Sequence, residues 1–252
     1  MQQEQNLFQG QVVVITGGSS GIGAAAAAAF SRCGATVYIT GRSPQKLESQ
    51  IGTMAQQGLK ATAIPCDVRD YESMREMYQT VLLAHGRVDI VLVNAGVHLQ
   101  HQPLASSDPA VWADTIQTNL IGAYYTVQPI LPSMIENRSG KILFIGSGRG
   151  RRAAANVADY SCAKAGSWML MRCLAVELAQ YGIAVNEIIP GPVRTGLNST
   201  IDSQQDLVQD PGGEYIKKPE DIMDCVLFVA SPVSYTHLLC ADGHQAEILS
   251  GG

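Results

Sequence analysis

The chain has 252 residues, of which 46% are hydrophobic and 15% charged, and its formal net charge is −5. That length supports one large domain with its own core, and the acidic balance excludes a nonspecific nucleic-acid binder, which needs a broad basic face. Neither a charged-then-apolar leader nor a membrane-length apolar run is legible, so the expectation is a cytoplasmic enzyme or binding domain with no nucleic-acid or membrane partner.

Short β-branched or aliphatic runs alternate with longer helical stretches. VVVIT at 12–16, TVYIT at 36–40, ATAIP at 61–65, DIVLV at 89–93, KILFI at 141–145 and IAVNEII at 183–189 predict six strands, and THLLC at 236–240 a weaker seventh. Most are continuous rather than alternating in apolar residues, as strands buried on both faces of a parallel sheet are. With helices between them, the predicted class is α/β: a single Rossmann-type, doubly wound domain spanning 1–252, its seven-stranded and mainly parallel sheet flanked by helices. Residues 1–6 and 246–252 are expected to be flexible tails, and the polar segment 198–213 a loop that orders on binding.

The first run leads directly into TGGSSGIG at 16–23, followed by an alanine-rich helix. Strand, glycine loop and helix N-terminus form a phosphate cradle: glycines let the backbone approach a pyrophosphate, and the helix's free N–H groups and dipole meet its charge. The spacing Gly17-x-x-x-Gly21-x-Gly23, with Ser19, Ser20 and Ile22 between, therefore predicts a dinucleotide site. NAD-binding chains of this kind carry an acidic residue about 20 positions past the loop, which bonds the ribose 2′-hydroxyl. Here the second run ends Thr40-Gly41-Arg42. An arginine can pair bidentately with a 2′-phosphate, so NADP(H) is expected over NAD(H), with help from Ser19 or Ser20.

Further along, YSCAK places Tyr160 four residues before Lys164, on one helix face. A lysine cation about 4 Å from a phenol favours phenolate by roughly 4 kcal/mol at an effective dielectric near 20. That predicts a phenol pKa lowered by about three units, suited to acid–base work near neutral pH.

With these two motifs the chain resembles the short-chain dehydrogenase/reductase family, over about residues 7–243. The resemblance rests on TGxxxGxG at 16–23, Asp67-Val68, Asn94-Ala95-Gly96, Asn119, Ser147, Tyr160-x-x-x-Lys164 and PGPVRT at 190–195, all in order. It implies a catalytic set of Asn119, Ser147, Tyr160 and Lys164. Ser147 would hold a substrate carbonyl oxygen and Tyr160 would exchange the proton. Lys164 would bind the nicotinamide ribose and lower the phenol pKa, and Asn119 would hold a proton-relaying water. The adenine would go to Asp67 and Val68, the ribose to Asn94, Ala95 and Gly96, and the carboxamide to Pro190, Gly191, Val193 and Thr195. It also implies a homodimer or homotetramer built on the Tyr160 helix and the one before it. The apolar residues on nearly every face of 167–179 suit such an assembly.

Departures are Val93 where a second asparagine is usual, Gly146 in place of the first serine of a pair, and Asp242-Gly243-His244 near the end. Motif details resemble 3-oxoacyl carrier-protein reductases, so a thioester reductase stands beside a general ketoreductase or alcohol dehydrogenase. A catalytically silent dinucleotide sensor is the reading of another class, and the presence of Ser147, Tyr160 and Lys164 weighs against it. A methyltransferase on a similar sheet would explain the glycines but not the tyrosine and lysine.

Several features are weighed and set aside. His98-x-x-His101 lacks a carboxylate at ligand spacing, so no metal is expected and a pocket rim or solvent position is. Trp112 and Trp168 are expected in the core or at an interface. Cys33, Cys66, Cys162, Cys173, Cys225 and Cys240 form no C-x-x-C pair and are expected to be packed, reduced thiols. Arg149, Arg151 and Arg152 follow Ser147, and two readings stand: recognition of an anionic or carrier-bound small-molecule substrate, extended by Arg138, or ordinary surface and intersubunit ion pairs.

Overall fold

The structure, a computed structural model, describes residues 6–195 and 216–231. Six parallel strands form one sheet: β1 (Val12–Thr16), β2 (Thr36–Gly41), β3 (Thr62–Pro65), β4 (Ile90–Val93), β5 (Gly140–Ile145) and β6 (Ile183–Ile188). Their order is β3-β2-β1-β4-β5-β6. The predicted runs match these strands to within one residue at either end. The seventh run at 236–240, the 198–213 loop, Cys240 and Asp242-Gly243-His244 lie outside the described residues.

Both sheet faces are buried. Val12, Val14, Val91, Ile142 and Phe144 point into one core under α3 (Tyr71–His85), α5 (Gly122–Val127) and α7 (Ala158–Leu178). Val13, Ile15, Ile39, Ile90 and Leu143 point into the other, beneath α1 (Gly21–Arg32), α2 (Pro44–Gln56) and α8 (Met223–Ala230). The strand period of two sends neighbouring valines to opposite cores, which is why the runs are continuous in apolar residues. The alanines of α1 serve this packing: Ala26 and Ala27 are fully buried, and their small side chains let the helix lie close on the sheet.

Local chemistry sets the helix ends. Asp70 caps α3 by accepting from the N–H groups of Glu72 and Ser73, and Gly86 closes it with φ +71°. Asp108 caps α4 (Pro109–Ile116) by accepting from Ala110 and Val111, with Pro109 at the first helical position as expected. Between α4 and α5 the chain runs through a π-turn, Gln117–Ile121. α6 (Leu131–Asn137) then leads into β5.

Strand order reverses between β1 and β4, and the ends of those two strands open a crevice there. In open α/β sheets this is where ligands bind. Among the described residues no helix is long and apolar enough to cross a membrane.

Candidate active site

The loop after β1 is held by hydrogen bonds that leave little room for side chains. Thr16, fully buried, accepts at Oγ1 from the backbone N–H of Asn94 at 3.1 Å and of Ala95 at 3.2 Å. The Asn94 amide donates to the carbonyls of Thr16 at 2.8 Å and Gly17 at 3.2 Å. Gly17 has φ +65°, and a Cβ there would lie 2.9 Å from Ala95 Cα; a Cβ on Gly23 would overlap the Gly17 carbonyl. Two positions must therefore be glycine for the loop to keep this shape.

Ser20 makes no side-chain cap to α1, and the first turn holds no acidic residue. The helix N-terminus thus keeps uncapped donors facing the crevice, a fit for a dinucleotide's pyrophosphate. Thr195 lies against the same turn, its side chain 3.1 Å from where a Cβ on Gly21 would sit. Val193 pairs with Lys217 in an isolated bridge, so the 190–195 segment is tied down beside the loop. Pro190 accepts from Lys217 Nζ at 3.3 Å, and Gly191 turns the chain with φ +68°.

At the other end of the crevice, Arg42 is exposed just past β2. Its charge reaches Asp67. Burial works against the ionised Asp67 carboxyl, but hydrogen bonds and charge from Arg69, helped by Arg42, outweigh it and hold the carboxyl below its usual range. Arg69 forks onto both Asp67 oxygens, at 2.9 to 3.2 Å. Val68 is buried, and a Cβ on Gly122 would lie 2.8 Å from its side chain, so what it can offer a base is main chain.

The catalytic candidates gather beyond β4 and β5. The Ser147 hydroxyl accepts from the N–H of Arg149 at 3.2 Å, and it lies close enough to the Tyr160 phenol to pull that phenol's pKa down. Lys164 is buried on α7; its Nζ donates to the Ile145 carbonyl at 2.8 Å and lies 5.9 Å from the Tyr160 ring centre. Asn119, on the π-turn, is 2% exposed. Its amide donates to the carbonyls of Val97 at 2.8 Å and Thr115 at 2.9 Å, and its oxygen accepts from Val97 N–H at 3.1 Å. A Cβ on Gly96 would lie 2.7 Å from that oxygen, so Gly96 makes room for the Asn119 amide.

Three expectations need correction, and for Arg151 the ion-pair reading is the one that holds. The Tyr160 phenol is raised, not lowered: burial pushes it up, opposed only by the Ser147 hydrogen bond. The Coulomb argument omitted desolvation, which also lowers Lys164 to about 8, against an upward pull from Glu187. Arg151 does not wait for an anionic substrate, because its guanidinium pairs with the buried Glu187 carboxylate. It also lies over the Trp168 ring at 5.2 Å. Arg138 cannot extend that patch: it precedes the first residue of β5 and donates to the Gln180 carbonyl, a strand's length from Ser147. Finally, Cys33 and Cys66 are buried as expected, but Cys162 and Cys173 are exposed on α7.

Sequence reasoning missed two residues and left a third, His98, between a pocket rim and solvent. Thr16 looks like one more β-branched strand residue, and only its position before the glycine loop hints at its role. Glu187 sits within an otherwise apolar run, a signal that was available. His98 stacks on Tyr160 with ring centres 4.9 Å apart, and its Nε2 is buried without a partner. It therefore belongs to the pocket rim. Among the described residues no cluster of three or more metal-binding side chains exists.

Known proteins share the fold and resemble this chain over most of its length. A family model described as "short chain dehydrogenase" matches residues 11–206. The 2,3-dihydro-2,3-dihydroxybenzoate dehydrogenase of Bacillus subtilis (strain 168) is 30% identical, covering 94% of this chain and 96% of that one. A putative short chain dehydrogenase from Shigella flexneri 2a str. 301, solved in complex with NADP, superposes with a TM-score of 0.83 at 30% identity, covering 92% of this chain and 95% of that one. Levodione reductase superposes with a TM-score of 0.83 at 28% identity, covering 90% and 93%. The chain belongs to the short-chain dehydrogenase family, and it is an oxidoreductase of that type that binds a nicotinamide cofactor.

Proposed function

We propose that the protein is an NADP(H)-dependent ketoreductase or secondary-alcohol dehydrogenase with Tyr160 as general acid and base. The observation that carries this is the placement of Ser147 beside the Tyr160 phenol, with buried Lys164 one helical turn further along α7. Gly17, Ser19, Ser20, Gly21, Ile22 and Gly23 would cradle the pyrophosphate. Asp67 and Val68 would meet the adenine, Asn94, Ala95 and Gly96 the ribose, and Pro190, Gly191, Val193 and Thr195 the nicotinamide amide. Bound there, the nicotinamide supplies or accepts the hydride.

The residues divide the remaining work. Ser147 holds the substrate oxygen and shares its hydrogen bond with the phenol. Because burial keeps the Tyr160 phenol protonated at neutral pH, it stands ready to donate a proton to that oxygen as negative charge develops. The Lys164 cation then faces a nascent phenolate in a buried setting, where an opposite charge is worth more than in water. Asn119 fixes the π-turn beside the pair through its bonds to Val97 and Thr115, a position from which a water would be held for Lys164.

NADP(H) preference rests on Arg42, exposed at the end of β2 with no carboxylate at that position. The NADP complex of the Shigella structure is consistent with it. Self-association rests on the outer faces of α5 and α7, where Tyr124 is 43%, Met169 49% and Val176 81% exposed. A monomer by light scattering at micromolar concentration would contradict a homodimer or homotetramer.

The test is a panel of ketones, secondary alcohols and a 3-oxoacyl thioester, followed by NADPH absorbance. Tyr160→Phe should lower turnover by about 10² to 10⁴-fold while NADPH binding is retained. Near-normal turnover in that variant would end the assignment.

A further inference from the structure

Glu187 is a carboxylate near the end of strand β6, which pairs with β5, and it is 2% exposed. Strand pairing sets it opposite Phe144, one residue before the carbonyl of Ile145 that Lys164 binds. Its side chain occupies the place above Gly146: a Cβ on Gly146 would overlap the Glu187 carboxylate. Gly146 is the residue before Ser147, so the missing side chain next to the catalytic serine is what admits the acid.

One Glu187 oxygen meets Arg151 at 2.5 Å, and Arg151 ends the short turn Gly148–Gly150 that Ser147 opens. That turn also presses on the catalytic helix, since a Cβ on Gly150 would lie 2.8 Å from the Lys164 backbone. The carboxylate is thus wedged between the loop that carries Ser147 and the helix that carries Tyr160 and Lys164. A buried carboxylate is costly unless cations face it. Burial raises the Glu187 carboxyl above its ordinary range, and the charges of Arg151 from the loop and Lys164 from α7 pull against that rise. Asp159, the buried acid of α7 itself, is held by the Thr115 hydroxyl at 3.0 Å and reaches His98. Glu187 is therefore the acid that acts on Lys164.

We propose that Glu187 is a positioning residue for the reaction, acting through two cations. Through Arg151 it fixes the loop that presents Ser147, and from its place opposite Phe144, next to the Ile145 carbonyl that Lys164 binds, its charge acts on the Lys164 ammonium. The idea rests on the proposed reductase function but makes a separate claim about this chain's own side chains.

Glu187→Gln keeps the shape and removes the charge. In NADPH-dependent turnover of the ketone the panel shows to react fastest, the alkaline limb of kcat should move to lower pH by about one unit, because an opposite charge near Lys164 has been lost. A purely structural role would lower kcat at every pH and leave the limb in place, and that result would overturn the proposal. If Glu187→Gln does not fold, the Glu187→Ala and Gly146→Ser double variant fills the vacated space and should show the same shift.

A second readout needs no turnover. Trp168 lies 5.2 Å from the Arg151 guanidinium. The chain has two tryptophans, so a Trp112→Phe background leaves Trp168 as the reporter. In that background Glu187→Gln and Arg151→Gln should change the emission alike, and together no more than either alone. Additive changes would mean the pair is not formed, and would overturn the proposal even in an active enzyme. Coupled emission changes in a protein that reduces nothing would instead leave the pair standing and refute the reductase reading.

Discussion

Between β1 and α1 the crevice is made of main chain: Gly17 and Gly23 have no room for side chains, and Thr16 and Asn94 hold the loop by bonds to its backbone. Beyond β5 and β6 it is made of charge: buried Lys164 and Glu187, with Arg151 paired to Glu187 from the exposed side and the Tyr160 phenol near Lys164. The first region works by removing atoms, so its rules are steric and nearly independent of pH. The second works by holding charges out of water, so its behaviour depends on protonation. A substitution should therefore fail differently in the two halves, in shape on one side and in pH dependence on the other.

The steric half breaks most sharply at Gly23. An alanine Cβ there overlaps the Gly17 carbonyl, and the alternative is to move the loop that Asn94 ties down. Gly23→Ala should weaken NADPH binding by about 100-fold or more, measured by fluorescence titration, because a phosphate cradle loses both backbone donors and the helix N-terminus when it shifts. Binding within a fewfold of wild type would show the loop to be softer than its packing implies. At the far end of the same groove the effect should be selective. Arg42→Ala should raise the Michaelis constant for NADPH about 10 to 100-fold and leave that for NADH nearly unchanged, since only the 2′-phosphate meets the guanidinium. A wild type that prefers NADH would refute this directly.

Those two residues also show what the sequence could reveal. Glycine spacing after a strand is a steric signature, and steric requirements leave few residue choices, so the loop and the strands were legible to within a residue. The catalytic pair was legible for a related reason: helix periodicity places Tyr160 and Lys164 on one face whatever surrounds them. The sign of the Tyr160 shift was not legible, because it depends on burial, and burial depends on what α7, β5 and the 146–151 loop bring together. The Arg151 pairing was hidden likewise. Its partner Glu187 lies 36 positions away in an apolar strand, and the two meet only because β5 and β6 are neighbours. The π-turn at Gln117–Ile121 has no sequence signal of its own; Asn119 sits in it, bonding the Thr115 carbonyl with its side chain.

The charged half can be read through stability. Burial lowers Lys164 from the ordinary lysine value to about 8 in the folded chain. In the unfolded chain the amine titrates near about 10.4. Between those values the unfolded state binds more protons, so folded stability from this residue rises with pH across that window. Lys164→Met has no such proton to release. The stability difference between wild type and Lys164→Met, from urea melts at pH 7.5 and pH 10, should move in favour of wild type, by about 3 kcal/mol at most. A difference that stays flat would mean that the amine is already neutral or is solvated.

The smallest expected effect separates two arginines that look alike in sequence. Arg149 is exposed on the turn after Ser147, and its positive charge is one of the influences on His98, which stacks on Tyr160. Arg138 is exposed too, but it caps α6 at the opposite edge of the sheet, where it bonds the Gln180 carbonyl. An exposed cation near a pocket contributes a field that solvent and salt screen, worth a fewfold at most for an anionic substrate. With a carboxylate-bearing ketone, Arg149→Ala should therefore lower kcat/KM by about two to fivefold at low ionic strength. The loss should vanish near 0.5 M salt, because the Debye length there is only about 4 Å. A neutral ketone of similar size should show no loss at either salt concentration. Arg138→Ala should leave both substrates nearly unchanged, since the length of β5 separates it from Ser147 and its guanidinium is bonded to the Gln180 carbonyl. Equal losses for the two variants would mean that the effect is one of fold stability. A loss at Arg149 that persists in salt would place its guanidinium in direct contact with the substrate.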